Sequence, residues 1–317
     1  MIISRTPLRV SFYGGGTDFP HFFNKYGGKV ISTSIDKYVY ISLNKSFSGK
    51  TRLNYSKIEE VDNLEDLSHS IAKAVLQKYN LSGVEVGSIA DIPGQGTGLA
   101  SSSAYCVGLL NCVSSYLSLG LSQSEIAEEA CYIEREVCKA PIGVQDQYAC
   151  ALGGFNLLEF SSNGVSRQPI ISVNNNFCDS FFLAYIGGDR SASTILSKQL
   201  TEDNTEHLLA TNTITELAFA ALSEGGHSFF SHLPAAWEVK KKFTKGITTD
   251  YIDSICSKAM SLGAEGVKLL GAGGGGFILV AAASDKHNTI LEGLGLDKFS
   301  IKLDNLGTQI VYDSRNY

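Results

Sequence analysis

The segment Pro93-Gly94-Gln95-Gly96-Thr97-Gly98-Leu99-Ala100-Ser101-Ser102-Ser103-Ala104 constrains this chain most, because a glycine run passes without a break into a long apolar helix pattern. Ala104, Val107, Leu110 and Val113 recur at three-residue steps, which predicts a helix from Ser101 to Leu117. Glycines let backbone N–H groups turn toward one point, and the helix start adds the positive end of its dipole there. Such a mouth is a cradle for phosphate, and serine hydroxyls beside it can reach a Mg²⁺ ion. The plainer reading is a surface loop with an ordinary serine cap. Three glycines and three serines meeting one long helix favour the cradle. No lysine follows the last glycine, so this is not a Walker A loop.

Two further glycine segments bear on the same chemistry. Gly271-Ala272-Gly273-Gly274-Gly275-Gly276 has dinucleotide-turn spacing, yet β-prone residues from Phe277 follow it where such a site requires a helix. It fits a hairpin that lets two backbones pack closely, or a second wall on the phosphate or substrate side. Near the start, Arg5-Thr6-Pro7-Leu8-Arg9-Val10-Ser11-Phe12-Tyr13 runs into Gly14-Gly15-Gly16-Thr17-Asp18. Arg9 falls inside a β-prone run, where a buried cation needs a partner. Arg9 and Asp18 fit two arrangements. One is a structural ion pair; in the other, Arg9 faces transferring phosphoryl oxygens and Asp18 takes substrate hydroxyls.

Two acids complete the set. Ser122-Gln123-Ser124-Glu125 has capping-box spacing, and the helix it opens places Ala127, Ala130 and Glu134 on one side before Pro141 ends it. Glu134 is thus not assigned to the wet face, as Glu128 and Glu129 are. Asp146 follows Pro141 and Gly143, a position for a helix cap. Taken alone, the two read as an exposed helical glutamate and a cap.

A length of 317 residues allows two domains, and Asn174-Asn175-Asn176 is the most linker-like stretch near mid-chain. Strands and helices mix without a regular βαβ rhythm, which predicts α+β rather than a doubly wound sheet. A net charge of -6, with no basic run longer than Lys240-Lys241-Lys242, speaks against nucleic acid. Trp237 beside that run reads as a core aromatic next to a solvated helix face. The longest apolar run, Phe277 to Ala283, is too short to cross a bilayer, and the N-terminus lacks a secretory pattern. Seven cysteines without a CxxC read as reduced core thiols, which favours the cytoplasm. No HExxH or Cys/His cluster points to zinc.

These pieces, in this order, resemble the superfamily of galactokinase, homoserine kinase, mevalonate kinase and phosphomevalonate kinase. Pro93 to Ala104 is similar to its Pro-x-x-x-Gly-Leu-Gly/Ser-Ser-Ser-Ala signature, with Ala100 at the Gly/Ser place. Leu270 to Phe277 is similar to its C-terminal glycine motif, and Arg9 stands where the family has Lys or Arg. Glu134 and Asp146 keep the spacing of the Mg²⁺-binding Glu and catalytic Asp of galactokinases. The resemblance covers residues 5 to about 283. It implies an N-terminal mixed α/β domain over 1–173, a ferredoxin-like α+β domain over 177–317, and a kinase using ATP and Mg²⁺. ATP phosphates would lie on Pro93 to Ser103, and Mg²⁺ on Glu134 and Ser102, with Ser101 or Ser103 next in line. Asp146 would orient or deprotonate the acceptor hydroxyl, with Arg9 beside it. Substrate would meet Arg9, Gly15, Gly16, Thr17, Asp18, Asp146, Arg190, Gly273 and Gly274.

Within the superfamily, the opening from Arg5 to Asp18, Gln145-Asp146-Gln147-Tyr148, Arg190-Ser191-Ala192 and Lys268 to Phe277 are similar to heptose-7-phosphate kinases of bacterial nucleotide-sugar pathways. Galactokinases carry Glu-His-Thr-Asp where this chain has Gly15-Gly16-Thr17-Asp18. Two polar sugar contacts are gone, and room is left for a larger or phosphorylated sugar. The implied reaction is D-glycero-D-manno-heptose 7-phosphate plus ATP giving the 1,7-bisphosphate and ADP. Lys37, Lys139, Arg190 and Lys268 are then the partners open to the sugar's phosphate. The alternatives are a fucose- or arabinose-type sugar kinase, and a non-enzymatic relative that binds nucleotide and sugar. No nucleic-acid or membrane partner is implied.

Overall fold

The computed structural model describes residues 1–94, 96–171, 177–188, 192–223, 226 and 228–316. Strand β1 (Ile2–Tyr13) pairs antiparallel with β2 (Gly28–Lys45) on one side and with β12 (Gln309–Asp313) on the other. The far edge of β2 serves two partners: residues 28–33 pair with β6 (Phe155–Ser161) and residues 39–45 with β5 (Val84–Ala90). Beyond β5 lie β3 (Thr51–Asn54) and β4 (Ile58–Val61), and beyond β6 lies β7 (Gly164–Pro169). The β-prone run around Arg9 is therefore part of one long strand.

A second, antiparallel sheet runs in the order β11 (Lys298–Phe299), β8 (Phe181–Tyr185), β10 (Phe277–Ala281), β9 (Gly266–Leu269). Helices separate β8 from β9 and β10 from β11, which is the ferredoxin-like arrangement. The architecture is α+β, in two units. Strand β12 crosses back to the first sheet, so the sheets do not follow one cut in the chain. The Asn174-Asn175-Asn176 stretch lies outside the described residues.

In the first unit, α3 (Ser101–Tyr116) crosses β1 and β2, with α2 (Ser70–Lys78), α4 (Gln123–Cys131) and α5 (Gln145–Leu152) beside it. The predicted capping box forms: Ser122 Oγ accepts from the Glu125 N–H at 3.3 Å, and Glu125 accepts from the Ser122 N–H at 2.8 Å. Helix α1 (Pro20–Tyr26) follows the Gly14–Asp18 loop. In the second unit, α6 (Ala192–Thr201) and α7 (Thr205–Ser223) lead away from β8, α8 (Leu233–Lys240) and α9 (Asp250–Ser261) pack on β9, and α10 (His287–Leu294) packs on α9. Among the described residues, no helix is long and apolar enough to cross a membrane.

Strand alternation divides the apolar residues of the second sheet between two cores. Phe181, Leu183, Phe277, Leu279 and Ala281 join the core of the first unit. Phe182, Ala184, Ile278, Val280 and Ala282 face Trp237, Ile252 and Ile290 instead. Phe12, fully buried, meets Phe155, Phe181 and Phe229 with ring centroids 5.4 to 5.6 Å apart, so one side chain of β1 packs against both units. Burying such a side chain contributes about 1.5–3 kcal/mol. The β1–β2 register slips between Ser11 and Tyr13. At that slip Lys268 Nζ, on β9, donates to Phe12 O at 2.7 Å and Ser11 O at 3.3 Å.

The two glycine segments also meet there. A Cβ on Gly98 would sit 2.6 Å from Leu270 O, and one on Gly271 would sit 2.4 Å from Gly98 Cα. Both residues have positive φ, +77° and +70°. The Phe277 N–H donates to Thr97 O at 3.1 Å, and the chain enters β10 where the apolar run predicts a strand. Gly98→Ala and Gly271→Ala should each destabilise the fold by about 1–3 kcal/mol in urea unfolding, the span for backbone strain and steric conflict. Gly94→Ala, whose Cβ meets nothing within 4 Å, should stay within about 0.5 kcal/mol of wild type. Equal stability of the Gly98 and Gly94 variants would rule out the contact.

Candidate active site

Val10 and Phe12 of β1 point into the core, while Arg9 and Ser11 point to the other side, toward α5. Arg9 is 4% exposed and its fork is aimed by three acceptors. Nε donates to Asp146 Oδ1 at 2.8 Å, Nη2 to Asp146 Oδ2 at 2.9 Å, and Nη1 to Gly98 O at 2.7 Å. Its backbone N–H donates to Leu99 O at 3.2 Å. Asp146 lies in the first turn of α5, after the cap residue Val144, with 28% of its side chain exposed. A ligand can therefore reach the carboxylate while Arg9 holds it.

Arg9 forms no ion pair with Asp18, one of the two arrangements open from sequence. Asp18 is 2% exposed and is met instead by N–H groups: those of Gly16 at 2.9 Å, of Gln145 at 3.1 Å and of the Gln145 amide at 3.1 Å. Burial first, then the charge of Asp146, push the Asp18 carboxyl above its ordinary range. A Cβ at position 143 would fall 1.9 Å from Asp18 Oδ2, which is why Gly143 stands there. Ser11 Oγ donates to Gln145 Oε1 at 3.0 Å, so Ser11, Gln145 and Asp18 tie β1 to the loop. Thr17 is fully buried, and its hydroxyl lies against Gly14 O at 2.8 Å and Lys29 O at 3.0 Å. Thr17 and Asp18 thus brace the loop from inside, while Gly15 lies against the Gln145 amide.

Helix α4 does not run to Pro141 but gives way to a π-helical turn at Tyr132–Val137, a form frequent at functional sites. Glu134 in that turn is 1% exposed, so the exposed-glutamate reading is corrected. Ser102 Oγ donates to Glu134 Oε1 at 2.9 Å and Gln147 Nε2 donates to Oε2 at 2.7 Å, with the Ser103 hydroxyl also bonded to this carboxyl. Burial raises the carboxyl from 4.5 to about 7 against those hydrogen bonds. Gln147 Oε1 is buried with no partner among the described residues. Carboxylate, hydroxyl and amide oxygens together suit a hard cation such as Mg²⁺.

The serine cap of the plainer reading is absent. Helix α3 starts after Ala100, at φ 68° and ψ 33°, with no side chain on its first N–H groups. The serines are used elsewhere: Ser101 Oγ lies 3.3 Å from Thr97 Oγ1, and Ser102 and Ser103 turn to Glu134. An uncapped helix start beside positive-φ Gly96 and Gly98 leaves N–H donors for an anion. Pro93, Gly94 and Gly96 are exposed at the loop's outer end. Gly274 donates its N–H to Ile247 O at 2.9 Å, and a Cβ on Gly273 would meet Ile247 Cα at 2.7 Å, so this loop packs on the second unit. Gln95 and Arg190 lie outside the described residues.

Residues 66–154, which carry this cradle and both acids, match the GHMP kinases N terminal domain. A solved D-glycero-D-manno-heptose 1-phosphate kinase from Bacteriodes thetaiotaomicron superposes with a TM-score of 0.79 at 25% identity, covering 99% of this chain and all of that one. The chain thus carries a GHMP kinases N terminal domain over residues 66–154. A D-glycero-alpha-D-manno-heptose 7-phosphate kinase of Campylobacter jejuni is 28% identical to this chain, over 92% of it and 93% of its own length. An L-fucokinase/L-fucose-1-P guanylyltransferase of Bacteroides fragilis is 26% identical over 89% of this chain and 34% of its own length.

Several residues of this site were not legible in the sequence. Gln147 and Gly143 carry no signal of their own, being set only by what Glu134 and Asp18 require. Lys240, read as part of a solvated face, turns inward: Nζ donates to Leu269 O at 3.0 Å and Gly271 O at 2.6 Å. The basic run hid it, and only its place at the last turn of α8 marks it out. Trp237 is a core aromatic as expected, 4% exposed. Of the cations considered for a sugar phosphate, Lys139 is 76% exposed and Lys37 lies 3.5 Å from Asp36, whereas Lys268 is 5% exposed.

The Glu134 shift has a measurable consequence. The ligand-free folded state keeps a proton there up to about pH 7, which the unfolded chain gives up near 4.5. Stability should therefore fall as pH rises from about 4.5 through about 7, by roughly 3 kcal/mol at most. Glu134→Gln should unfold at higher urea than wild type at pH 8 and close to it at pH 4. A pH-independent difference would contradict the buried-carboxyl account.

Proposed function

We propose that this chain is an ATP- and Mg²⁺-dependent sugar kinase that phosphorylates the anomeric hydroxyl of D-glycero-D-manno-heptose 7-phosphate, giving the 1,7-bisphosphate and ADP. The observation that carries the reading is the Arg9–Asp146 fork set 2.7 Å from Gly98 O, at the mouth of an uncapped helix. The Campylobacter jejuni relative bears the name of this activity over nearly the whole chain.

Phosphoryl transfer through a loose transition state asks for positioning and charge neutralisation more than for covalent chemistry. Backbone N–H groups from Gly96 to Ser103 hold the ATP phosphates. Glu134 and Ser102, backed by Gln147, are the residues that would hold Mg²⁺, which when bound offsets phosphate charge. Asp146 accepts the hydrogen bond of the acceptor hydroxyl and aims its oxygen at the γ-phosphorus. As that oxygen forms the new P–O bond and the bond to ADP breaks, the hydroxyl proton leaves toward Asp146. Both Asp146 oxygens already accept from Arg9, so protonation costs part of that ion pair. Aiming the hydroxyl is therefore the larger share of its role. Arg9 faces the moving phosphoryl group as a fixed positive charge.

The fucokinase relative favours one second reading, a fucose-type sugar kinase. A substrate panel separates them: turnover is expected with heptose 7-phosphate, and little with heptose 1-phosphate, free heptose, fucose or galactose. Preference for fucose would move the assignment, and no ATP consumption with any sugar would remove it. Asp146→Asn should cut kcat by about 10² to 10⁴ while nucleotide binding is largely kept. Near-normal turnover would mean another group is the catalytic carboxylate. Glu134→Gln should raise the Mg²⁺ concentration for half-maximal rate, and an unaltered metal titration would move that role elsewhere.

A further inference from the structure

We propose that Lys240 and Lys268 complete, with Arg9, an anion-binding junction between the two sheets, and that its occupant is a phosphoryl oxyanion. The inference rests on the kinase reading for where a phosphate arrives, and adds residues that reading does not use.

The three cations fan out over one small region of backbone. Arg9 Nη1 donates to Gly98 O at 2.7 Å. Lys240 Nζ takes Leu269 O at 3.0 Å and Gly271 O at 2.6 Å, on the other side of the Gly98–Gly271 contact. Lys268 Nζ takes Phe12 O at 2.7 Å and Ser11 O at 3.3 Å, beside Arg9 on β1. An ammonium carries three donors, so each lysine keeps one N–H beyond these carbonyls. Among the described residues, no carboxylate lies within ion-pair distance of either lysine. Of the three cations only Arg9 is paired with an acid among the described residues, Asp146, and it holds both of its oxygens.

Two lysines without an ion-pair partner among the described residues, largely out of water, leave the junction electrostatically incomplete. A buried charge is costly unless paired, and carbonyl dipoles alone do not replace a counter-ion. The effect is visible on the lysines: burial, with Arg9 second, brings Lys268 down to about 7, and burial with Lys268 and Arg9 brings Lys240 well below its ordinary range. A phosphoryl group fits the deficit better than a carboxylate, because it brings up to two charges and three acceptor oxygens. It also arrives at this place, since the junction borders Gly98 in the loop leading into α3. The nucleotide's terminal phosphate and the sugar's phosphate share this chemistry.

A structural role for Lys240, bracing two carbonyls, needs donors but not charge. Lys240→Gln keeps N–H donors and removes the charge, and Lys240→Arg keeps both. Binding of tripolyphosphate, of a non-hydrolysable ATP analogue and of heptose 7-phosphate would be measured by calorimetry on folded full-length protein. Tripolyphosphate affinity should fall about ten- to a hundredfold in Lys240→Gln, the range for a lost charge-assisted hydrogen bond, and be largely restored in Lys240→Arg. Lys268→Gln should act in the same direction; if it does not fold, the Lys240 pair decides. Loss confined to the ATP analogue assigns the junction to the nucleotide, and loss confined to heptose 7-phosphate assigns it to the sugar. Unchanged affinity for all three in Lys240→Gln overturns the junction and leaves the kinase reading standing. If wild type binds none of the three, both fall.

Discussion

Arg9 is the residue on which the rest of the site depends. It is a buried cation in a central strand, a position that requires compensation from every direction. The compensation is spread over parts of the chain far apart in sequence: the carboxylate of Asp146 at the start of α5, the carbonyl of Gly98, and the carbonyl of Leu99 on its backbone N–H. Strand, glycine loop and α5 are thereby held to one another through a single side chain. An arginine suits this better than a lysine, because a planar fork with five donors can satisfy acceptors on different elements at once.

The glycine segments act in the same economy of space. Gly98 and Gly271 are where two loops approach so closely that neither can carry a side chain. The contact brings the end of the second sheet against the phosphate cradle, while Phe12 packs both units into one core on the opposite face of β1. Rigid positioning of a loop usually comes from side-chain packing. Here backbone meets backbone, which leaves the outward N–H groups free for a ligand and keeps bulky side chains away from it.

Much of this was legible in the residues, and the boundary of legibility has physical causes. The helix from Ser101, the capping box at Ser122 and the strand from Phe277 follow from local pattern. The Glu134 side of its helix was readable for the same reason. The partner of Arg9 was not readable from local pattern, because Asp18 and Asp146 are both acids at plausible places; the family resemblance is what implies Asp146 beside it, and the two are paired. Asp18 is occupied by N–H groups of Gly16 and Gln145, donors that no side-chain pattern announces. Three serines at a helix start ordinarily predict a cap on α3, whereas here Glu134 draws two of them away, and no serine pattern shows that. Strand β12 depends on a pairing across some three hundred residues, which local pattern does not encode.

Opposite departures from ordinary acidity remain on the two sides of the cradle. Glu134 is raised to about 7 because burial penalises its negative charge, and Lys268 is lowered to about 7 because burial and Arg9 penalise its positive one. Neither group is at ease in the ligand-free fold, and the two strains have opposite signs. A polyanion accompanied by a cation relieves both at once, the cation beside the acid and the anion beside the bases. A neutral ligand relieves neither, and a bare anion would worsen the acid's side. On the proposed kinase reading, the charge pattern would discriminate by ligand charge before any shape is read, in favour of a metal-bound phosphate.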